Sequence, residues 1–130
     1  MEEVTRAVWT FPFTYPSMNR IMRMHWAERE RTKRQYWQAF KVFLRQPGPL
    51  PRFKTPVRER VLLFFKKGTR KDVGNYEPKW LNDCLVKEKI IVDDSSKWIP
   101  EGAKVHIERD SEKDWMILEI ESLKEEKDES

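Results

Sequence analysis

The 130-residue chain has room for one domain and little for a second core. Hydrophobic residues make up 38% and charged ones 37%, and six Trp, seven Phe and three Tyr supply the large apolar surfaces a small core needs. A single cysteine, Cys84, excludes an internal disulfide and any multi-cysteine metal site, and the formal charge of +4 matters more for its placement than for its size. No apolar run approaches the roughly 20 residues of a membrane-spanning helix. The Met-Glu-Glu start lacks the basic-then-apolar layout of a signal peptide. These features predict a soluble, cytoplasmic protein with no membrane partner.

In chain order, "AVWTFPF" at 7 to 13 reads as a first strand, with Pro12 near its end or on an edge. "TYPSMNRIMRMH" follows as a loop. From about Trp26 to Gln46 the pattern is helical, because Tyr36, Phe40, Phe43 and Leu44 fall on one stripe. "PGPLPRFKTP" must end that helix, since its prolines cannot continue it. The five consecutive apolar residues of "RERVLLFFKKG" suit a strand covered on both faces. A second helix is expected from about Tyr76 to Lys89, with Leu81, Leu85, Trp80 and Cys84 on its inner face. "IIVDD" reads as a short strand or an extended segment. "AKVHIER" and "WMILEIE", joined by "DSEKD", predict an antiparallel hairpin. The order β-α-β-α-β-β points to one mixed α/β (α+β) domain over 1–122, with two main helices covering a small mixed sheet. Residues 123–130 carry four acids and two lysines and read as a solvated tail.

The chemistry concentrates in "KKGTRKDVGNYEPKW", residues 66 to 80. Asp72 follows Lys66, Lys67, Arg70 and Lys71, and Asp93 and Asp94 follow the second helix. A helix of about 14 residues spans roughly 21 Å, so Asp94 approaches Asp72 only if the chain turns back after the helix. If they meet, carboxylates in a basic surround make a hard-oxygen site for Mg²⁺. Asn75, Lys79 and Asp83 are spaced to share one helical face, where a lysine would stabilise charge on a scissile phosphate. The basic cluster would bind flanking phosphates. Each residue also has a plainer role. Asp72 suits an N-cap or turn, Lys79 and Asp83 an i,i+4 surface pair, and the tryptophans the core. His25 and His106 have no partner at a metal-ligand spacing.

"RKDVGNYEPKWLNDCLVKEKIIVDDS" resembles the core signature of the RusA family of Holliday junction resolvases, small endodeoxyribonucleases usually encoded by phages and prophages. Asp72, Asn75, Lys79, "DCL" at 83 to 85 and Asp93-Asp94 stand in the family's order, with one extra residue between Asn75 and Lys79. "YPSMNR" at 15 to 20, with Asn19 and Arg20, looks like the family's Pro-Ser-x-Asn segment. The resemblance covers about residues 7 to 121. It implies a homodimeric, Mg²⁺-dependent nuclease (Mn²⁺ as a substitute) of a bacterial cell or its phage, resolving four-way DNA junctions by paired symmetric nicks in recombination and repair. It would make Asp72 and Asp94 metal ligands, Lys79 the catalytic lysine, and Asn75 an ordering or positioning residue. Gly74 departs from the pattern, because the family has an acid there. Another acid (Asp83 first, or Glu77 or Asp93) then substitutes, or two acids suffice, or the chain binds junctions while cutting poorly. A general nucleic-acid-binding module is a third reading, supported only by the basic cluster before Asp72 and a second one of Arg29, Arg31, Lys33 and Arg34.

Overall fold

The structure, a computed structural model, describes residues 5–46, 48–66 and 72–123, the side chain of Asp110 aside. Among the described residues, four strands form one mixed sheet in the order β1-β4-β2-β3, comprising β1 (Arg6–Phe11), β2 (Val57–Lys66), β3 (Ala103–Ser111) and β4 (Trp115–Ser122). The helices are α1 (Met18–Arg23), α2 (Trp26–Leu44) and α3 (Lys79–Lys87). The fold is therefore α+β, with a small mixed sheet as expected. Among the described residues, no helix is long and apolar enough to cross a membrane.

The edge strand β1 stops at Phe11, because Pro12 has no N–H to give to a ladder. Its inward Trp9 and Phe11 meet α2. The Trp9 indole donates to the Leu44 carbonyl at 2.9 Å, and Phe11 and Phe13 contact Phe40 and Phe43 with ring centroids 5.8–6.2 Å apart. Residues 18–23, expected as loop, form α1. The Ser17 hydroxyl accepts from the Arg20 N–H at 3.2 Å and caps that helix. The His25 ring caps α2 in the same way, through Nδ1 and the Ala27 N–H at 3.3 Å.

Two expectations about the sheet are overturned. The apolar run in β2 is not covered on both faces. Val57, Glu59, Val61, Leu63 and Phe65 alternate inward and are buried, while Leu62 and Phe64 stay partly exposed on the other face. There Phe64 stacks on Trp115 with ring centroids 4.0 Å apart. Nor do β3 and β4 form a hairpin. β3 pairs parallel with β2, and β4 runs antiparallel between β1 and β2. The reason lies in their side chains. β4 buries Met116, Leu118 and Ile120 and suits the centre of the sheet. β3 exposes Lys104, His106 and Glu108 and suits an edge. The connection from Ser111 to Trp115 passes the end of β2, where the Asp114 carboxylate accepts the Lys66 N–H at 3.0 Å.

The tryptophans are not all core either. Trp9 and Trp80 are buried, whereas Trp26 is 69% exposed. Of the expected tail, Leu123 donates its N–H to the Pro56 carbonyl at 2.9 Å, and 124–130 lie outside the described residues.

Candidate functional site

The second helix is shorter than its apolar pattern suggested. Asp72 caps a 3-10 turn over Val73–Asn75, and α3 begins only at Lys79, directly after Pro78. At its other end Lys89 adopts φ 63°. The Ile90 N–H donates to the Leu85 carbonyl at 2.9 Å and the Lys89 N–H to that of Val86 at 3.0 Å. This pair of bonds is a Schellman turn, and it sends the chain back. Ile90 and Ile91 are buried, and the Phe53 N–H fixes the Ile90 carbonyl at 2.8 Å. The returning segment reaches Ser95–Ile99, a turn closed by Ser95 carbonyl bonds, and then Gly102 at φ 68° feeds β3.

That path encloses a cleft of about 470 Å³ whose walls include Gly74, Glu77, Lys79, Asn82, Asp94 and Ala103. Lys79 and Asp94, separated by fifteen positions, thus face one space. Asp72 adjoins it through Gly74. Its Oδ1 accepts the Gly74 N–H at 3.1 Å, so it does act as the cap foreseen in its plainer role. Asn75 accepts the Asn19 N–H on its Oδ1 at 2.8 Å, which ties the start of α1, with Arg20, to the 3-10 turn. The Tyr15 hydroxyl donates to the Tyr76 carbonyl at 2.6 Å and anchors the same turn from below.

Other expected members stand apart. Asn75 does not share a helical face with Lys79 and Asp83, because Pro78 separates the 3-10 turn from α3. Asp83 faces α2 and pairs with Lys33 at 3.2 Å; it is not among the cleft residues. Asp93 is half-buried beside Asp94. Lys66 is exposed at the end of β2, and Lys67, Arg70 and Lys71 lie outside the described residues. His106 is exposed, with its ring 3.0 Å from the Glu108 carboxylate.

Two functional candidates escaped the sequence reading. Glu59, in the central strand β2, is 0% exposed, and Asn82, on α3, is 7% exposed. Neither Glu59 oxygen has a hydrogen-bond partner, nor does Asn82 Oδ1. Burial pushes the Glu59 carboxyl up to about 8. The Asn82 amide lies close enough to oppose that shift without forming a hydrogen bond of normal geometry, and the Asp94 charge adds to it. Burial also raises the Tyr15 hydroxyl, with the charge of Glu59 contributing. The signal for Glu59 was present in "VRERVLLFF", where alternation puts Glu59 on the face of Val57, Val61 and Leu63.

Among the described residues, no group of three or more His, Cys, Asp or Glu is gathered tightly enough to hold a metal ion. The cleft instead combines carboxylates with an amide oxygen. The Asn82 Oδ1 in the cleft and the two Glu59 oxygens, buried on the sheet face of Ala103, have no hydrogen-bond partner, and oxygen donors of this kind suit a hard cation such as Mg²⁺. No protein-family model matches the sequence, and no curated protein matches it.

Proposed function

We propose that the chain is a RusA-like, Mg²⁺-dependent endodeoxyribonuclease that nicks four-way DNA junctions. The observation that carries this reading is the Lys89 turn. It brings Asp94 back to a cleft that Lys79, Val73 and Gly74 also line, with Asp72 next in the chain to Val73. In this reading Asp94 and Asp72 hold the cation, which when bound supplies an activated water and offsets charge on the scissile phosphate. Lys79, exposed at the cleft, meets the phosphate's developing negative charge. Asn75 holds the Asn19–Arg20 segment beside the 3-10 turn, where Arg20 and Lys66 contact flanking phosphates together with Lys67, Arg70 and Lys71. A homodimer in a bacterial cytoplasm belongs to the same reading, since two symmetric nicks call for two copies of the cleft.

Gly74 favours a second reading, junction binding with little or no cleavage. It presents no side chain to the cleft, and Asp83, the expected substitute, is engaged by Lys33. One assay separates the two. A labelled four-way junction and a duplex of equal length are incubated with the protein and Mg²⁺. Paired nicks on the junction alone, lost in Asp94→Asn, are the expected result. Tight, salt-sensitive junction binding without nicks selects the second reading. Equal affinity for duplex and junction rejects both.

A further inference from the structure

Glu59 sits in β2 level with Ala103 of β3, a wall residue of the cleft, and with Ile120 of β4. Its side chain is therefore inside the fold on the sheet face of Ala103, and Glu59 is not itself among the residues that line the cleft. A fully buried carboxylate without hydrogen bonds or an ion pair is costly, and a second acid nearby raises the cost. Asp94 is that second acid, and its charge acts on Glu59. The Tyr15 hydroxyl, on which the Glu59 charge acts, gives its proton to the Tyr76 carbonyl instead. Asn82, from the first turn of α3, lines the same cleft and leaves its Oδ1 unfilled as well. Three buried acceptor oxygens on two residues, without a donor and next to a third residue carrying negative charge, call for a positive occupant. A proton on Glu59 would fill one of its oxygens and Asn82 Oδ1, but it would leave the other Glu59 oxygen bare. A divalent cation satisfies all three and offsets both charges.

We propose that Glu59, Asp94 and Asn82 hold a divalent cation through their side-chain oxygens at the inner wall of the cleft, with Glu59 supplying the carboxylate that Gly74 lacks. The inference rests on the cation part of the reading above and not on junction cleavage. A glutamate reaching in from the central strand takes over from an acid on the surface loop, so the ligand set spans β2, α3 and the returning segment. Anchored in this way, the cation would fasten the returning segment to the sheet.

The test is Mn²⁺ binding to the full chain, followed by the loss of the free-ion electron paramagnetic resonance signal, together with the thermal midpoint with and without Mg²⁺. Wild type is expected to bind Mn²⁺ and to melt higher with Mg²⁺. Glu59→Gln should lose at least about tenfold in Mn²⁺ affinity and most of the Mg²⁺-dependent rise, while melting no lower than wild type without metal. Asp83→Asn should bind as wild type does. Asn82→Asp, which adds a charge to the set, should bind more tightly, and it keeps the test decisive if Glu59→Gln fails to fold. Wild-type affinity in both Glu59→Gln and Asn82→Asp overturns the inference while leaving an Asp72–Asp94 site standing. No Mn²⁺ binding by wild type overturns the inference and the cation part of the nuclease reading together. Loss of Mn²⁺ in Glu59→Gln beside a wild type that never nicks junctions upholds the inference and rejects the nuclease.

Discussion

Gly74 is the residue at which the nuclease and binding readings part. Its backbone does not adopt the left-handed conformation that only glycine tolerates well, and a Cβ there would meet nothing closer than Asp72 Oδ1 at 3.7 Å. The position is therefore open to an acid. Gly74→Asp is expected to fold normally and to tighten Mn²⁺ binding by about tenfold through one more charged oxygen ligand, as read by the same resonance titration. Glu59 makes an independent prediction in metal-free protein. With its carboxyl raised from 4.5 to about 8, the folded state holds a proton that the unfolded chain has released in that window. Stability must then fall as pH rises from about 5 to about 8, by an amount on the order of a few kcal/mol at most. Urea midpoints in chelator at the two pH values should show this slope in wild type and a flatter one in Glu59→Gln. Tyr15 does not add to the slope there, because burial raises its hydroxyl above that range and keeps it protonated.

At the scale of elements, the periodicities carried far. The α2 stripe of Tyr36, Phe40, Phe43 and Leu44 and the inner face of α3 are as the spacing predicts, with Leu81, Cys84 and Leu85 at 0% exposure. The misses share a cause. α1 is a single capped turn and a half, too short to show a period, and only Ser17 marks it. The hairpin error came from chain proximity, since β3 and β4 are neighbours in sequence while strand pairing answered to which strand is more apolar. The return after α3, on which the candidate site depends, is encoded without glycine. Lys89 adopts the left-handed conformation at a cost of about 1 kcal/mol. Lys89→Gly should remove most of that cost and stabilise the fold by up to about 1 kcal/mol, measured by urea unfolding, with the cleft unchanged. A loss of stability would mean that the lysine side chain itself holds the turn.

For the molecule as a whole, fold class and the sequence order of the site were legible, while the convergence was not. Asp72, Lys79 and Asp94 could be picked from their order, but the shared cleft of Lys79 and Asp94 depends on the Lys89 turn and on the loop bonds of Phe53 and Val57 to the Ile90 and Trp98 carbonyls. Asp83 was misjudged because helical spacing says which residues share a face and not which neighbour that face meets; α2 presents Lys33 there. Glu59 was hidden by the habit of reading a charged residue in a strand as solvent-facing.

The placement of β4 has a consequence for how the chain comes to be folded. The central slot of the sheet, between β1 and β2, belongs to β4, the last of the described strands in chain order. Until Trp115–Ser122 is available, β1 has no strand partner and the inward faces of Trp9 and Phe11 lack a neighbour in the sheet. The nascent chain therefore waits for β4, and a ribosome-bound chain halted before Trp115 should be digested by protease throughout. One extended until Ser122 has cleared the exit tunnel should be protected. Protection of the shorter chain would show that β2, α3 and β3 close a unit of their own before the sheet is complete.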